Sequence, residues 1–593
     1  MSRPSRAHAR APRHGARRWV VRSLGIGVGI LMVLGVSAFA WDGVQIRAAA
    51  RELEVHAAGA KQALTDQDTA ALVAEVAAVD AAARQFAEHT SGPHWAVAGS
   101  IPWVKDQTLP LERAGDVVLA LSEGTLVPLS KLDGLDAVGA VSLEGERIDP
   151  TALDPFRETL TSALVVVDEQ LLALAVVDLS HTVDAVRAPL IGLKADLRSL
   201  REIVEGGAVA SQLLPPMLGA DGPRTYVVAV QNNAEPRSTG GIPGALLGLT
   251  VDDGRFAIAS YVAADQLYDG RDVAPLTDDE LALYTSRMAQ YPQDTNFSPD
   301  YPRTAALLAA FWERETGTAP DGVISIDPVA LGYMLSDMEP LDVNGVRLTG
   351  ANLSEVLLRD SYLLFPDPDQ QDVFFAAASR ALFARIFESD SQSVFAGMER
   401  ASGEHRLMVW SARPEEQGLL EDTGIAGDFL ARRDSLGIFL NDGSGSKIGY
   451  YVEPHYAVVN RVCPEGKLAG STVTVTLTQT FAGDVDALPQ YVSGDGVYVP
   501  FGEFHANLVL YPPVGMGVSS FTRDGTPDGV NPGLHDGRTV AQVRVSLKPG
   551  ESTTLRFDLT PFADVDSGGA VVVTPDSNAR LYSARVAVSN ETC

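Results

Sequence analysis

Hydrophobic and polar positions change their spacing twice along the chain of 593 residues. Over 43–214 the background is Ala-rich, and Leu53, Leu64, Leu72, Val76 and Val79 recur at helical intervals. Gly92-Pro93 ends the first helical stretch, others follow at about 107–132 and 157–205, and Pro215-Pro216 closes the region. This predicts a helical stalk or antiparallel bundle. Over 220–390 short apolar runs alternate with helical ones. Tyr226–Val230, Ala245–Val251 and Phe256–Tyr261 read as buried strands, the last two joined across Asp252-Asp253-Gly254. Asp300-Tyr301-Pro302 and Asp327-Pro328 each put an acid at a helix N-cap and Pro in the first turn. That region reads as an α/β layer. Residues 391–446 read as a connector of helices and loops, closing on the flexible Asn441–Ser446. From 447 the period becomes two, as in Val473, Val475 and Leu477 or Leu555, Phe557 and Leu559, which predicts a β-sandwich over 447–593.

Seven Arg and no acid occupy 1–22. The next 19 residues, 23–41, carry no charge and are long enough to cross a bilayer. The Arg excess places the N-terminus in the cytoplasm and everything after Asp42 outside. Ala38-Phe39-Ala40 also matches a signal-peptide cleavage pattern, so removal of the segment after Ala40 is the alternative. The expected fold class is therefore multidomain α/β plus all-β. It comprises a cytoplasmic tail (1–22), a transmembrane helix (23–41), an extracytoplasmic helical stalk (43–214), an α/β core (220–390), a connector and a C-terminal β-sandwich. The expected location is the cell membrane, single-pass.

Charge and cysteine content narrow the chemistry. Acids outnumber Lys and Arg 76 to 46, which argues against a nucleic acid partner. Two cysteines in an exported chain predict one disulfide, Cys463–Cys593. The ten His are scattered, and no H-E-x-x-H, Walker, G-x-G-x-x-G or C-x-x-C pattern occurs. No metal site and no cofactor is expected on that ground.

One loop stands out, Asn232-Asn233-Ala234-Glu235-Pro236-Arg237-Ser238-Thr239-Gly240-Gly241. Gly240 and Gly241 can present backbone N–H groups to an anion, and the Arg237 fork suits phosphate or carboxylate. Asn232, Asn233, Glu235, Arg237, Gly240, Gly241 and, from the helix after Asp300, Arg303 are the candidate ligand-binding residues. The structural reading of the same loop is a set of Asx-type turns with a Glu235–Arg237 pair.

The loop and the following GLTVDDGRF resemble domain-of-unknown-function family 4012, a family of bacterial envelope proteins. NFSPDYP (296–302), DGVISIDPVAL (321–331), LTGANLSEVLLRDSY (348–362), DSLG (434–437) and KIGYY (447–451) follow in the family's order. The family carries no established activity. The order of elements is also similar in topology to envelope phosphotransferases of the LytR-CpsA-Psr type. That likeness implies transfer of a lipid-linked glycopolymer to cell wall with Arg, Asp and a divalent cation. Their closing helix carries repeated Arg, whereas Asp367–Asp372 here is followed by no Arg until Arg380. Two readings follow. One is a membrane-anchored envelope protein that binds, or transfers, a lipid-linked or cell-wall glycopolymer at an anion site. The alternative is a non-catalytic envelope scaffold or interaction protein.

Overall fold

The computed structural model describes residues 14–593 except 67, 133–146, 422, 464–465, 498 and 579–581, with backbone alone for 14–36, 64, 65, 582 and 583. The chain divides into two compact units, 1–139 with 152–212 and 140–151 with 213–593.

The first unit is helical. Helices α1 (His14–Thr65), α2 (Thr69–His89), α3 (Pro93–Ala98), α4 (Pro102–Leu121) and α5 (Arg157–Ala175) share an apolar core with the first turns of α6 (Asp184–Met217). Ile46, Ala49, Phe86, Trp95, Val117, Val167 and Leu190 fill it. At its edge the buried Asp42 carboxylate meets His89 Nδ1 at 2.9 Å, His94 Nε2 at 2.5 Å and the Trp95 indole N–H at 3.0 Å.

These contacts bear on the expected membrane anchor. The run 23–41 is one part of α1, and its last turn packs on protein. The Phe39 ring lies 5.1 Å from that of His94 and 5.2 Å from that of Trp95. Among the described residues no helix is long and apolar enough to cross a membrane. The transmembrane helix, the single-pass topology and the cell-membrane location inferred from 23–41 are corrected accordingly. The tail to residue 13 and the side chains of 14–36 lie outside the described residues.

The second unit mixes helices with several sheets: a five-stranded sheet, a small hairpin and the two sheets of a sandwich. Strands β1 (Arg224–Arg237), β2 (Gly240–Asp252), β3 (Arg255–Ala263) and β4 (Gly322–Ile326) precede a small hairpin, β5 (Leu341–Val343) with β6 (Val346–Leu348). Strand β7 is Leu407–Ser411. The first sheet runs β3-β2-β1-β4-β7, with only β1 and β4 parallel. Helix α7 (Tyr301–Thr316) lays Tyr301, Leu308, Phe311 and Trp312 on Val227, Ala229, Leu246 and Val323.

The sandwich is built from β8 (Leu436–Asp442), β9 (Val452–Val462), β10 (Leu468–Gln479), β11 (Phe504–Tyr511), β12 (Met516–Arg523), β13 (Thr526–Pro527), β14 (Asn531–His535), β15 (Arg538–Leu547), β16 (Ser552–Pro561), β17 (Val571–Val573) and β18 (Val586–Thr592). Its sheets run β13-β12-β16-β10-β9-β18 and β14-β15-β11-β8-β17. The expected connector supplies two strands, β7 and β8. Strand β8 is buried at all seven positions, so its sequence shows no alternation and hides it from a period-two search. The Cys463–Cys593 disulfide is formed, with Cα atoms 5.1 Å apart.

Candidate functional site

The candidate loop is mostly strand. β1 continues through Arg237, only Ser238 and Thr239 turn, and β2 begins at Gly240. This end of the hairpin is buried where the first sheet meets the sandwich: Asn233, Arg237, Ser238 and Thr239 are each at most 6% exposed. Burial of so many polar groups demands partners; most come from distant parts of the chain, while the Thr239 hydroxyl and Asn233 Oδ1 have none among the described residues.

Arg237 uses all three guanidinium nitrogens on protein acceptors. Nε donates to the Gln293 carbonyl (3.3 Å), Nη1 to the carbonyls of Asp442 (2.8 Å) and Pro236 (3.2 Å), and Nη2 to Asp294 Oδ1 (3.1 Å). Its face lies 4.9 Å from the Phe297 ring centroid. Asp294 is shared with Arg287. The pair expected between Glu235 and Arg237 is absent. Glu235 instead pairs with Lys447, 212 residues away, whose ammonium sits 4.9 and 4.5 Å from the ring centroids of Tyr362 and Tyr491. Burial would lower the Lys447 pKa, but Glu235 and the two phenols outweigh it and hold the amine firmly charged.

The two asparagines are tied down as well. Asn232 donates to the Tyr362 hydroxyl (2.6 Å) and accepts from Ala234 N–H (3.0 Å), the Asx turn expected from sequence. Asn233 donates to Asp327 Oδ2 (3.0 Å). Asp327 also caps its helix through Ala330 N–H (2.7 Å) and receives Arg406 Nη1 (2.8 Å). Arg406 reaches Glu404 (3.0 Å) and Asp576 (3.0 Å) too, so one fully buried guanidinium joins the first sheet to the sandwich.

The paired glycines have a packing explanation. Gly240 has φ +140°, and a Cβ there would fall 1.9 Å from Gln231 Oε1; at Gly241 it would fall 2.0 Å from the Asn232 carbonyl. The Gly241 N–H, a candidate anion donor, is bound to Gln231 Oε1 at 3.1 Å. Arg303 is not brought to this cluster: its guanidinium forms a two-pronged pair with Glu280 at 2.7 and 3.0 Å. Asp300 stands at its N-cap position without a side-chain cap bond, and burial beside Asp428 pushes its carboxyl up to about 6. Among the described residues no group of three His, Cys, Asp or Glu is disposed to hold a metal ion.

Arg406 and Asp576 were not singled out by sequence reasoning, and Asn441 and Asp442, expected to open a flexible turn, are instead buried at the end of β8, where Asn441 Oδ1 accepts from the Ser238 N–H at 3.1 Å. The one local signal is a charged residue directly before an apolar strand, as in Arg406-Leu407-Met408-Val409.

Residues 221–362 match DUF4012, a protein family of unknown function. The DUF4012 segment thus holds Asn232, Asn233, Glu235, Arg237, Asp294, Asp327 and Tyr362. Arg406, Asp442, Lys447 and Asp576, which complete their contacts, lie beyond it. No curated protein and no solved structure matches the chain. Nothing in these comparisons carries the likeness to LytR-CpsA-Psr phosphotransferases.

Proposed function

We propose that this protein is a non-catalytic scaffold or interaction protein, in which the DUF4012 signature is the joint between an α/β sheet and a β-sandwich. One observation carries the reading. The groups best suited to an anion, the Arg237 fork and the Gly241 N–H, already have protein acceptors. A phosphate would have to displace Asp294 and three carbonyls from a buried guanidinium, and removing either partner of such a pair is costly.

Thermal unfolding paired with binding of a polyprenyl diphosphate tests this for wild type, Arg237→Lys and Arg237→Ala. The joint predicts no binding by any of the three, with stability lower by about 3 kcal/mol or more in Arg237→Ala and by less in Arg237→Lys. Binding by wild type that is lost in Arg237→Lys without a change in unfolding would replace the joint with a glycopolymer-type anion site.

A further inference from the structure

Strand β18 holds its place in an atypical way. It lies at a sheet edge, parallel to β9, paired from Val586↔Tyr456 to Thr592↔Val462. A strand is usually fixed by alternate side chains buried on the core. Here Val586 is buried and every residue from Ala587 to Thr592 is exposed. The start of the strand is anchored by Val586 and by Arg585, whose Nη1 lies 3.4 Å from Asp576. The far end is anchored by the Cys463–Cys593 bridge and the Cys593 N–H bond to the Val462 carbonyl at 3.2 Å.

Between the anchors there is little besides the ladder and a 3.4 Å contact of Asn460 with Asn590. An exposed backbone bond contributes about 1 kcal/mol net, while fixing a residue's backbone costs about 1–2 kcal/mol. The ladder alone does not hold six exposed residues, so the covalent tether at Cys593 supplies what burial does not. Cys593 is an exposed residue and Cys463 a partly exposed one, and a bridge is reduced by attack of a thiolate on one of its sulfurs.

We propose that the Cys463–Cys593 disulfide is a redox latch on the edge of β9. An external dithiol reduces the bridge to two thiols and is itself oxidised to a cyclic disulfide; segment 586–592 then leaves β9. The uncovered edge of β9 presents unpaired N–H and C=O groups.

Hydrogen exchange read by mass spectrometry on the full chain, oxidised and with dithiothreitol, tests this. Exchange in 586–592 and in the outward amides of 457–462 is expected to rise about tenfold or more on reduction, with β10 and β16 unchanged. Cys593→Ser should show the same rise without reductant. Unchanged protection of 586–592 when both thiols have become alkylatable would overturn the latch. A rise extending equally to β10 and β16 would overturn it too, since the bridge would then hold the whole sandwich.

Discussion

Asp42 in the helical unit and Asp442 at the joint are buried to nearly the same degree, 6% and 5% exposed. Their carboxyl groups nonetheless move in opposite directions. Burial would raise Asp42, but the donors on His94, His89 and Trp95 outweigh it and hold the carboxyl below its ordinary 3.8. Burial raises Asp442 to about 7, against weaker opposition from Arg237 and Ser444. Arg237 donates to the Asp442 carbonyl rather than its carboxylate, and Asp442 Oδ2 has no partner among the described residues. Donor supply and depth together set the charge of a buried acid: Asp442 is enclosed on every side, whereas Asp42 lies near the surface of its unit among three donors. The joint satisfies its backbone first and leaves Asp442 under-supplied; the helical unit satisfies the acid itself.

The largest expected effect breaks the joint's donor supply. Arg406→Ala leaves Asp327 and Asp576 buried without their shared cation and should cost about 3–5 kcal/mol, read as the urea midpoint of the β-rich unit. A loss below about 1 kcal/mol would mean the network is not holding sheet to sandwich. The next effect sharpens the contrast in sign. The stability that Asp442 contributes as a neutral acid is fully present below 3.8 and is lost as pH rises to about 7. Asp442→Asn should therefore gain on wild type by on the order of 2–4 kcal/mol between pH 4 and pH 7.5. Calorimetry at a series of pH values measures it, and a constant difference would refute it. The smallest effect has the opposite slope. The stability from Asp42 is present above 3.8 and is lost as pH falls through its lower folded value. Asp42→Asn should cost about 1–3 kcal/mol at neutral pH, with the cost shrinking in acid, followed by helix signal in circular dichroism.

What could be read from the sequence divides along the same line. Period-two alternation located β10 and β16, and the Val and Leu runs located β1 and β2, because each buries a regular set of side chains. Asp327 as a cap and Asn232 as an Asx turn were legible, since both act within three residues. Strand β8 was not, because burial on both faces removes the alternation. The partners of Glu235 and Arg237 were not legible either: Lys447 and Asp442 lie more than 200 residues away, and no local pattern encodes such a pairing. The Gly240-Gly241 pair read as an anion cradle because a sequence cannot separate close backbone approach to a ligand from close approach to Gln231 and Asn232. The apolar run 23–41 misled because length and charge say nothing about Phe39 meeting His94 and Trp95.

The partition of the joint between 221–362 and later residues bears on how such a segment can be inherited. A gene fusion that carried 221–362 alone would carry Asp327 without Arg406, Glu235 without Lys447 and Arg237 without the Asp442 carbonyl. Three charged groups would arrive with their counterparts missing. Any chain that acquires this segment must therefore bring the acceptors and cations of a following layer with it, or evolve substitutes. The transmissible block is longer than the stretch 221–362 that the family model covers.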